Sequence, residues 1–349
     1  LGHANSELIK ALIVQSQKLW HTSNLYSIPS QIQLAKKLVE NTFAEKVFFT
    51  NSGTESIECA IKVARKYQFE KGNELKTDII TFEGSFHGRS IAAISASGSK
   101  KLTSGFAPLV AGFKSIPFED MDALVGYSFE RVGGILIEPI QGEGGIRETS
   151  GTFLKKLREI CDANDILLIF DEVQSGVGRT GSFLAHEQLD VKPDIVAIAK
   201  GIGGGFPLGC CLASEKASKA MIAGTHGSTF GGNPLACAVG LAVLERIFSE
   251  NFLEAVREKG IYLKEQLREL VIGYPNVFES ARGVGLMLGL KCTVQSNIFI
   301  NKAYKNRLLV VPAGDNVVRL LPPLNITYSE LDEALKRLKN AANDVKDEQ

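Results

Sequence analysis

The sequence has no excess of charge of either sign. Lysine plus arginine and aspartate plus glutamate each total 39 in 349 residues, so the formal net charge is zero. Proteins that bind nucleic acid or anionic membranes through charge carry clusters of basic residues, and no long run of one sign occurs here. We therefore expect small-molecule partners, with neither nucleic acid nor a membrane among them.

Long apolar runs and paired cysteines are also missing. The chain has no stretch of about 18 apolar residues, which argues against a transmembrane helix, and its opening LGHANSELIKAL lacks the basic-then-apolar order of a secretion signal. Its six cysteines are scattered without a C-x-x-C pair, so neither a zinc cluster nor a disulfide framework is indicated. We expect a soluble cytoplasmic protein with reduced, buried thiols and no bound metal.

Nucleotide-binding motifs are absent apart from one partial match. The segment GVGRTG at 176–181 fits G-x-G-x-x-G, but that fingerprint requires its glycines directly between a strand and a long helix. Here VQS intervenes after an acidic pair, and the following SFLAHEQLD is a poor crossover helix. We therefore reject a nicotinamide-binding function, and no P-loop, H-E-x-x-H or G-x-S-x-G motif occurs either.

Short apolar strands alternate with amphipathic helices from about residue 31 onwards. This alternation predicts an α/β fold whose mostly parallel sheet is covered by helices, here a large domain over 31–244. The predicted strands are KVFFT (46–50), DIITFEG (78–84), GGILIEPI (133–140), ILLIFDEV (166–173), DIVAIAK (194–200) and GCCLAS (209–214). Beyond a helical run at 231–248 the pattern changes, which predicts a smaller α+β domain over 245–349. Its last helix is expected to open at Ser329, with Asp332 three residues on.

Lys200 stands between an apolar strand and a glycine-rich turn, in DIVAIAKGIGGGFPLG (194–209). A lysine shielded from water is favoured in its neutral, nucleophilic form, and glycines allow close approach of the backbone to a ligand. One interpretation is therefore a lysine that forms an imine with a carbonyl compound. The other is a solvated lysine at a strand end.

Three further stretches fall at predicted strand ends. Asp171 and Glu172 close the strand ILLIFDEV, and a carboxylate beside a lysine at one sheet edge suits pyridoxal phosphate, which needs an amine for its aldehyde and an anion for its ring nitrogen. The stretch NSGT (51–54) joins a strand to a helix start, where phosphate binds. Phe86, His87 and Arg89 lie on a glycine-flanked turn, where an aromatic ring can cover a flat ligand. Helix capping and simple packing are the alternatives for the last two.

Seven motifs in order give the chain its resemblance to a known family. They are NSGTES, FHGRS, EPIQGEGG, FDEVQSGVGRTG, AKGIGGGFPLG, HGSTFGGNPLACAVG and VVRLLPPLNIT. Together they resemble the class III pyridoxal-phosphate-dependent aminotransferases of fold type I, over essentially the whole chain. The resemblance implies a large domain with a mostly parallel seven-stranded sheet, a smaller C-terminal domain, and pyridoxal 5'-phosphate as cofactor. Members of the family carry a further N-terminal segment, and residues 1–30 are expected to be a remnant that packs with the small domain.

The resemblance also implies the cofactor-binding residues. Lys200 is similar to the lysine that holds the cofactor as an imine, Asp171 to the partner of its ring nitrogen, and Gln174 to the residue at its phenolic oxygen. Thr229 is similar to the threonine that reaches the neighbouring subunit's cofactor, which implies a homodimer with shared sites. The full implied set is Ser52, Gly53, Thr54, Phe86, Asp171, Glu172, Val173, Gln174, Lys200 and Thr229, with Lys200 and Asp171 as the catalytic pair.

The implied reaction moves an amino group from one small molecule to 2-oxoglutarate, and within the family the resemblance is greatest to members that take N-acetylornithine. Arg89 and Ser228 match positions that contact this donor. Arg319 resembles the arginine that binds the α-carboxylate of glutamate, and Glu143 the acid that pairs with that arginine when the other substrate is bound. Ornithine, succinylornithine and 4-aminobutyrate are alternative donors, and a non-catalytic dimeric relative is the alternative to an enzyme.

Overall fold

The structure is a computed structural model and describes residues 1–347. The strands are β1 (Lys46–Thr50), β2 (Asp78–Phe82), β3 (Phe113–Ile116), β4 (Val132–Ile137), β5 (Ile140–Gln141), β6 (Arg147–Glu148), β7 (Leu167–Asp171), β8 (Ile195–Ile198), β9 (Gly209–Ala213), β10 (Phe278–Val284), β11 (Met287–Cys292), β12 (Val311–Ala313) and β13 (Val317–Leu320). The helices are α1 (Ser6–Ser16), α2 (Pro29–Glu40), α3 (Gly53–Glu70), α4 (Ile91–Ser97), α5 (Lys100–Thr103), α6 (Met121–Val125), α7 (Gly151–Asn164), α8 (Glu215–Ser218), α9 (Pro234–Ile247), α10 (Phe252–Gly273), α11 (Ser296–Lys305) and α12 (Tyr328–Lys346).

The large sheet has seven strands in the order β1-β9-β8-β7-β4-β2-β3. Strands β3, β2, β4, β7 and β8 pair in parallel, and β9 runs antiparallel to both of its neighbours. The predicted mostly parallel, seven-stranded sheet is therefore confirmed. Our strand list missed β3, because this edge strand is short and exposes Lys114 and Ser115, so it lacks the apolar run by which buried strands are recognised.

Two apolar layers cover this sheet, and the central strands feed both. Successive side chains of a strand point to opposite faces, and along β7 Leu168 and Phe170 join one layer while Leu167 and Ile169 join the other. Helix α7 contributes to the first layer and α3 to the second. Because the core strands are apolar on both faces, polar groups gather at the strand ends, where the candidate site lies.

The C-terminal part contains a four-stranded antiparallel sheet in the order β10-β11-β13-β12. The predicted start of this part, residue 245, falls inside α9, and the turn between α9 and α10 follows it. The last helix opens at Thr327 rather than at Ser329. Thr327 accepts the N–H of Glu330 and the Glu330 carboxylate accepts the N–H of Thr327. This capping box starts two residues before the predicted one.

The N-terminal residues contact both parts of the chain. Helix α1 lies against α9, and its Leu8 is buried beside Gly204 and Val243. Near the small sheet, Gly2 lies next to the side chain of Asn325. Helix α1 thus packs on α9 with Leu8 buried while Ile9, Ile13 and Val14 are exposed. The packing of residues 1–30 with the small domain stays a prediction.

Two further features of the described chain concern membrane spans and disulfides. No helix within residues 1–347 is long and apolar enough to cross a membrane. The six cysteines are all free and buried, among side chains of the apolar layers.

Candidate active site

A cavity of about 350 Å³ opens where the strand ends of the large sheet meet. Ligands of open α/β sheets bind at this edge because the carboxyl ends of parallel strands converge there. The cavity is lined by Asn51, Ser52, Gly53, Thr54, Phe86, His87, Gly88, Glu138, Asp171, Val173, Gln174, Ala199, Lys200, Gly205, Phe206, Pro207 and Leu208. Residues predicted from four separate stretches of the sequence are thus brought together in one place.

Lys200 lies on a 3-10 turn two residues beyond β8 and lines this cavity. Its side chain is exposed to the open cavity although β8 itself is fully buried, and the expected shielding of its amine from water stays a prediction. Its φ of 47° lies in the left-handed region, which is uncommon for a residue other than glycine. Such strain is concentrated at functional sites, and here it turns the lysine out of the strand direction.

Asp171 ends β7 and is 5% exposed. Its Oδ1 accepts the N–H of Val173 at 3.0 Å, and its Oδ2 lies 2.8 Å from Nδ1 of His87. The buried Nε2 of His87 has no hydrogen-bond partner in the part of the chain that the structure describes. We noted His87 in the sequence without giving it a role. Its position two residues before Arg89 carried no signal that it would meet a residue 84 positions away.

Helix α3 starts at the cavity wall. Ser52 is its N-cap and accepts the N–H of Glu55 at 3.3 Å. The first helical residues, Gly53 and Thr54, line the cavity, and N–H groups at a helix start have no acceptor within the helix. Gly53 has no room for a side chain, since a Cβ there would lie 2.6 Å from Val173. The Oγ1 of Thr54 accepts the N–H of Arg89 at 3.2 Å. The helix start is therefore packed tightly against the end of β7, and its N–H groups form a place where an anion can bind.

Phe86 lines the cavity and is fixed by its backbone. Its N–H donates to Oε2 of Glu138 at 3.1 Å, and the guanidinium of Arg89 lies 5.2 Å from its ring centroid. Glu138 is the first residue of the EPIQGEGG motif, and the sequence alone did not indicate a role for it. The available signal was a carboxylate directly after the buried strand β4.

Arg319, on β13 of the small sheet, reaches the edge of the cavity. Its Nη1 donates to Oε1 of Glu143 at 2.7 Å and to Oε1 of Gln174 at 2.8 Å. The structure thus places the pair that the sequence suggested side by side, although 176 residues separate its members. Gln174 is the link, because it lines the cavity while its amide oxygen is held by Arg319.

An outer cavity of about 750 Å³ adjoins this edge and carries charges of both signs. Phe86 lines both cavities, and Arg89 and Glu143 line the outer one. Burial lowers the pKa of Arg147, which also lines it and donates to Gln141 and to the carbonyl of Glu83. A charged substrate entering here would meet the arginines before it reached Lys200.

Ser228 and Thr229 lie outside the lining of both cavities. The Oγ of Ser228 accepts from Asn51 at 3.2 Å, so it is one side chain away from the inner cavity. Thr229 is exposed. Within one chain, therefore, neither residue reaches the place where Lys200 and Asp171 meet.

Glu172 does not line the cavity, although it follows Asp171 directly. Its side chain is fully buried and accepts the N–H groups of Ala185 and His186, and its Oε1 lies 2.7 Å from Nδ1 of His186. Its backbone N–H and C=O are also bonded, to Ala197 and Gly176. Every polar group of Glu172 thus holds neighbouring segments of the chain, and its predicted cofactor contact stays a prediction. Val173, the next residue, does line the cavity.

The segment GVGRTG at 176–181, which fits G-x-G-x-x-G, forms turns. It is flanked by a turn and a bend rather than by a strand and a long helix, so it lacks the setting that a dinucleotide requires. Instead it joins the two sheets, because Arg179 donates to the carbonyls of Leu286 and Pro322 at 2.9 and 2.6 Å.

Comparison with known proteins gives consistent matches. The family model for class III aminotransferases matches residues 1–342. The acetylornithine aminotransferase of Agrobacterium fabrum is 55% identical over 342 residues, covering 98% of this chain and 86% of that protein. The N-acetylornithine aminotransferase structure from Stenotrophomonas maltophilia has a TM-score of 0.87 at 38% identity, with 100% of this chain and 89% of that one covered.

An ornithine aminotransferase from Toxoplasma gondii, described with pyridoxal phosphate at partial occupancy, superimposes with a TM-score of 0.95 at 31% identity, covering 99% of this chain and 84% of that one. The two structural matches therefore share one fold but are described with different amino donors.

Proposed function

We propose that this chain, which belongs to the class III aminotransferases, transfers the δ-amino group of N-acetylornithine to 2-oxoglutarate, giving N-acetylglutamate 5-semialdehyde and glutamate. The observation that carries the two-substrate reaction is the Arg319 guanidinium, held between Glu143 and Gln174 beside the cavity of Lys200. Relatives at 45–55% identity named for acetylornithine support the donor.

The enzyme is a transaminase that uses pyridoxal phosphate, and the cavity has the features that this cofactor needs. An accessible amine, a buried carboxylate and a helix N-terminus lie around one space of about 350 Å³. Gly53, where a Cβ would touch Val173, lets the helix start approach closely. When bound, the cofactor supplies an electron sink for the reacting carbon.

The residues of this chain would then have distinct roles. Lys200 would bind the cofactor covalently, and once released its neutral amine would move the proton at the substrate carbon. Asp171, fixed by Val173 and His87, would keep the proton on the ring nitrogen. The N–H groups of Gly53 and Thr54 would hold the phosphate, and the amide N–H₂ of Gln174 would face the phenolic oxygen.

Arg319 and Glu143 would let one pocket accept two different substrates. While Glu143 holds Arg319, the guanidinium is neutralised and the uncharged chain of the amino donor can pass. A dicarboxylate would displace Glu143 and take a bidentate contact with Arg319. Arg89, in the outer cavity, would bind the carboxylate at the other end of either substrate.

A second copy of the chain would complete the site. Beside Ser228 and Thr229 lies an exposed apolar patch. It is formed by Trp20, Leu25, Tyr26 and Phe230, which are 63%, 87%, 68% and 57% exposed. The patch is tied to that loop, since His21 packs on Phe230 at 4.9 Å and Asn24 donates to the carbonyl of Ser228 at 2.7 Å. Apolar patches of this kind mark protein interfaces. In a homodimer, Thr229 would reach the partner's cofactor.

Steady-state rates with the purified holoenzyme test the amino donor. We expect kcat/KM for N-acetylornithine to exceed that for ornithine by about tenfold or more, that is, at least about 1.4 kcal/mol of discrimination. The physical reason is that ornithine bound through its carboxylate brings a second cation next to Arg89, whereas the acetamide is uncharged. The opposite preference would favour the second candidate function, that of an ornithine aminotransferase. This candidate is supported by the TM-score of 0.95 with the Toxoplasma gondii enzyme.

A further inference from the structure

Glu138 is a buried carboxyl group to which the function so far gives no role. It follows β4 directly, is 4% exposed, and lines the inner cavity together with Asp171 and Lys200. A carboxylate is seldom buried without a cation. Its partners therefore determine whether it carries a charge.

The hydrogen-bond partners of Glu138 are backbone groups. Its Oε2 accepts the N–H of Phe86 at 3.1 Å, and the N–H of Gly142 is also directed at the carboxyl group. No ion pair joins Glu138 to a lysine, arginine or histidine in residues 1–347. The side chain thus connects the turn of Phe86 with the segment that carries Glu143, and it needs no charge to do so.

The charges around Glu138 come from four elements. Asp171 lies at the end of β7, and its Oδ2 is bonded to Nδ1 of His87. Lys200 lies on the turn after β8, and Arg147 lies on β6. Burial raises the pKa of Glu138 well above its usual range, and the negative charge of Asp171 raises it further, while the N–H groups and Lys200 act in the opposite direction.

We propose that Glu138 is a neutral carboxylic acid in the working enzyme, so that Asp171 supplies the negative charge that faces the cofactor and Glu138 acts as a positioning residue for Phe86. A second carboxylate in the same cavity would favour the ammonium form of Lys200, which cannot take up the proton that transamination moves. The proposal rests on the aminotransferase site and not on the identity of the amino donor.

The first test compares Glu138→Gln with the wild type in the cofactor-free protein. Glutamine keeps the size and the acceptor oxygen but cannot ionise. An unfolded glutamate loses its proton near pH 4.3, whereas the folded protein would retain it. Wild-type stability should therefore fall relative to Glu138→Gln as pH rises from 5 to 8, with the ratio of unfolding constants changing by up to about tenfold per pH unit. Glu83→Gln, at an exposed carboxyl, is the control and should show no such trend.

The second test follows the visible absorption of the cofactor bound at Lys200 as a function of pH. If Glu138 is neutral, Glu138→Gln leaves the midpoint of this titration in place. If Glu138 is an anion, its removal lowers the midpoint by about one pH unit or more. Glu138→Ala, which removes the acceptor of the Phe86 N–H, should weaken cofactor binding, whereas Glu138→Gln, which keeps an acceptor oxygen, should not.

A constant stability difference across pH 5 to 8 together with a lowered midpoint would overturn the proposal. Should Glu138→Gln fail to fold, the infrared spectrum of wild-type protein labelled with ¹³C-glutamate decides the question. A protonated carboxyl band at pH 7 is expected, and its absence would overturn the proposal. None of these readings uses an amino donor, so a preference for ornithine would contradict only the proposed function.

Discussion

The substitution Glu143→Gln tests whether Arg319 is held in check by a neighbouring carboxylate. In the structure, Nη1 of Arg319 lies 2.7 Å from Oε1 of Glu143, and the two side chains are 10% and 40% exposed. A dicarboxylate that binds Arg319 must first break this contact. We therefore expect the variant to bind dicarboxylates more tightly and to lose part of its discrimination in favour of the amino donor.

The size of the effect follows from the exposure of the pair. A hydrogen bond to a charged group contributes about 1.5–3 kcal/mol, but solvent screening reduces ion pairs as exposed as Glu143 to about 1 kcal/mol or less. Glutamine also keeps an acceptor for Arg319. We therefore expect about 1 kcal/mol, which corresponds to an approximately fivefold lower dissociation constant.

The assay is the binding of glutarate to the holoenzyme, followed by the change in cofactor absorbance. Glutarate has both carboxylates of 2-oxoglutarate but no carbonyl group, so binding is measured without reaction. A double-mutant cycle with Arg319→Gln supplies the control, because interacting residues give non-additive effects. If Glu143→Gln tightens binding equally with and without Arg319, or does not tighten it at all, the switch is refuted.

Three further predictions concern residues in and around the site. Gly53→Ala should weaken cofactor binding by about fivefold or more, because its Cβ would lie 2.6 Å from Val173 and an overpacked contact costs roughly 1–3 kcal/mol. Equilibrium dialysis measures the binding, and Gly227→Ala, whose Cβ meets no atom within 4 Å, should bind normally. Glu172→Ala should lower the free energy of unfolding by about 3 kcal/mol or more, since it leaves His186 and two N–H groups buried without an acceptor; a urea titration that finds less than 1 kcal/mol contradicts this. Thr229→Val subunits mixed with Lys200→Ala subunits should regain activity that neither variant has alone at limiting cofactor, because one site of the mixed dimer then contains both intact residues. If mixing restores no activity, Thr229 belongs to the site of its own subunit.

The sequence located the elements of the site because each one ends an apolar run. Lys200 and Asp171 stand at the ends of fully buried strands, and the helix start at Gly53 follows β1, whose last two residues are buried. Parallel strands deliver their carboxyl ends to one edge. The pattern that reveals a buried strand therefore also reveals where its polar neighbours meet. The same pattern does not reveal β3, because this strand lies at the edge of the sheet and exposes polar residues.

Contacts between side chains were harder to predict, because their partners are distant in the sequence. His87 meets Asp171 across 84 residues, and no periodicity connects the two. The direction of the Glu172 side chain was likewise unpredictable, because successive residues at a strand end point to opposite faces. Asp171 therefore faces the cavity, while Glu172 faces the segment of His186.

Three carboxyl groups at adjacent strand ends have different surroundings, and those surroundings account for their different roles. Glu172 accepts two backbone N–H groups and contacts His186, Asp171 is held by Val173 and His87, and Glu138 accepts backbone N–H groups alone. Carboxyls of one chemical type take different protonation states when their partners differ in charge. A motif can therefore identify the chemistry of a strand end, but the loops that contact it decide whether it is a structural anchor or has one of the two roles that we propose, the anion for the cofactor at Asp171 and a neutral acid at Glu138.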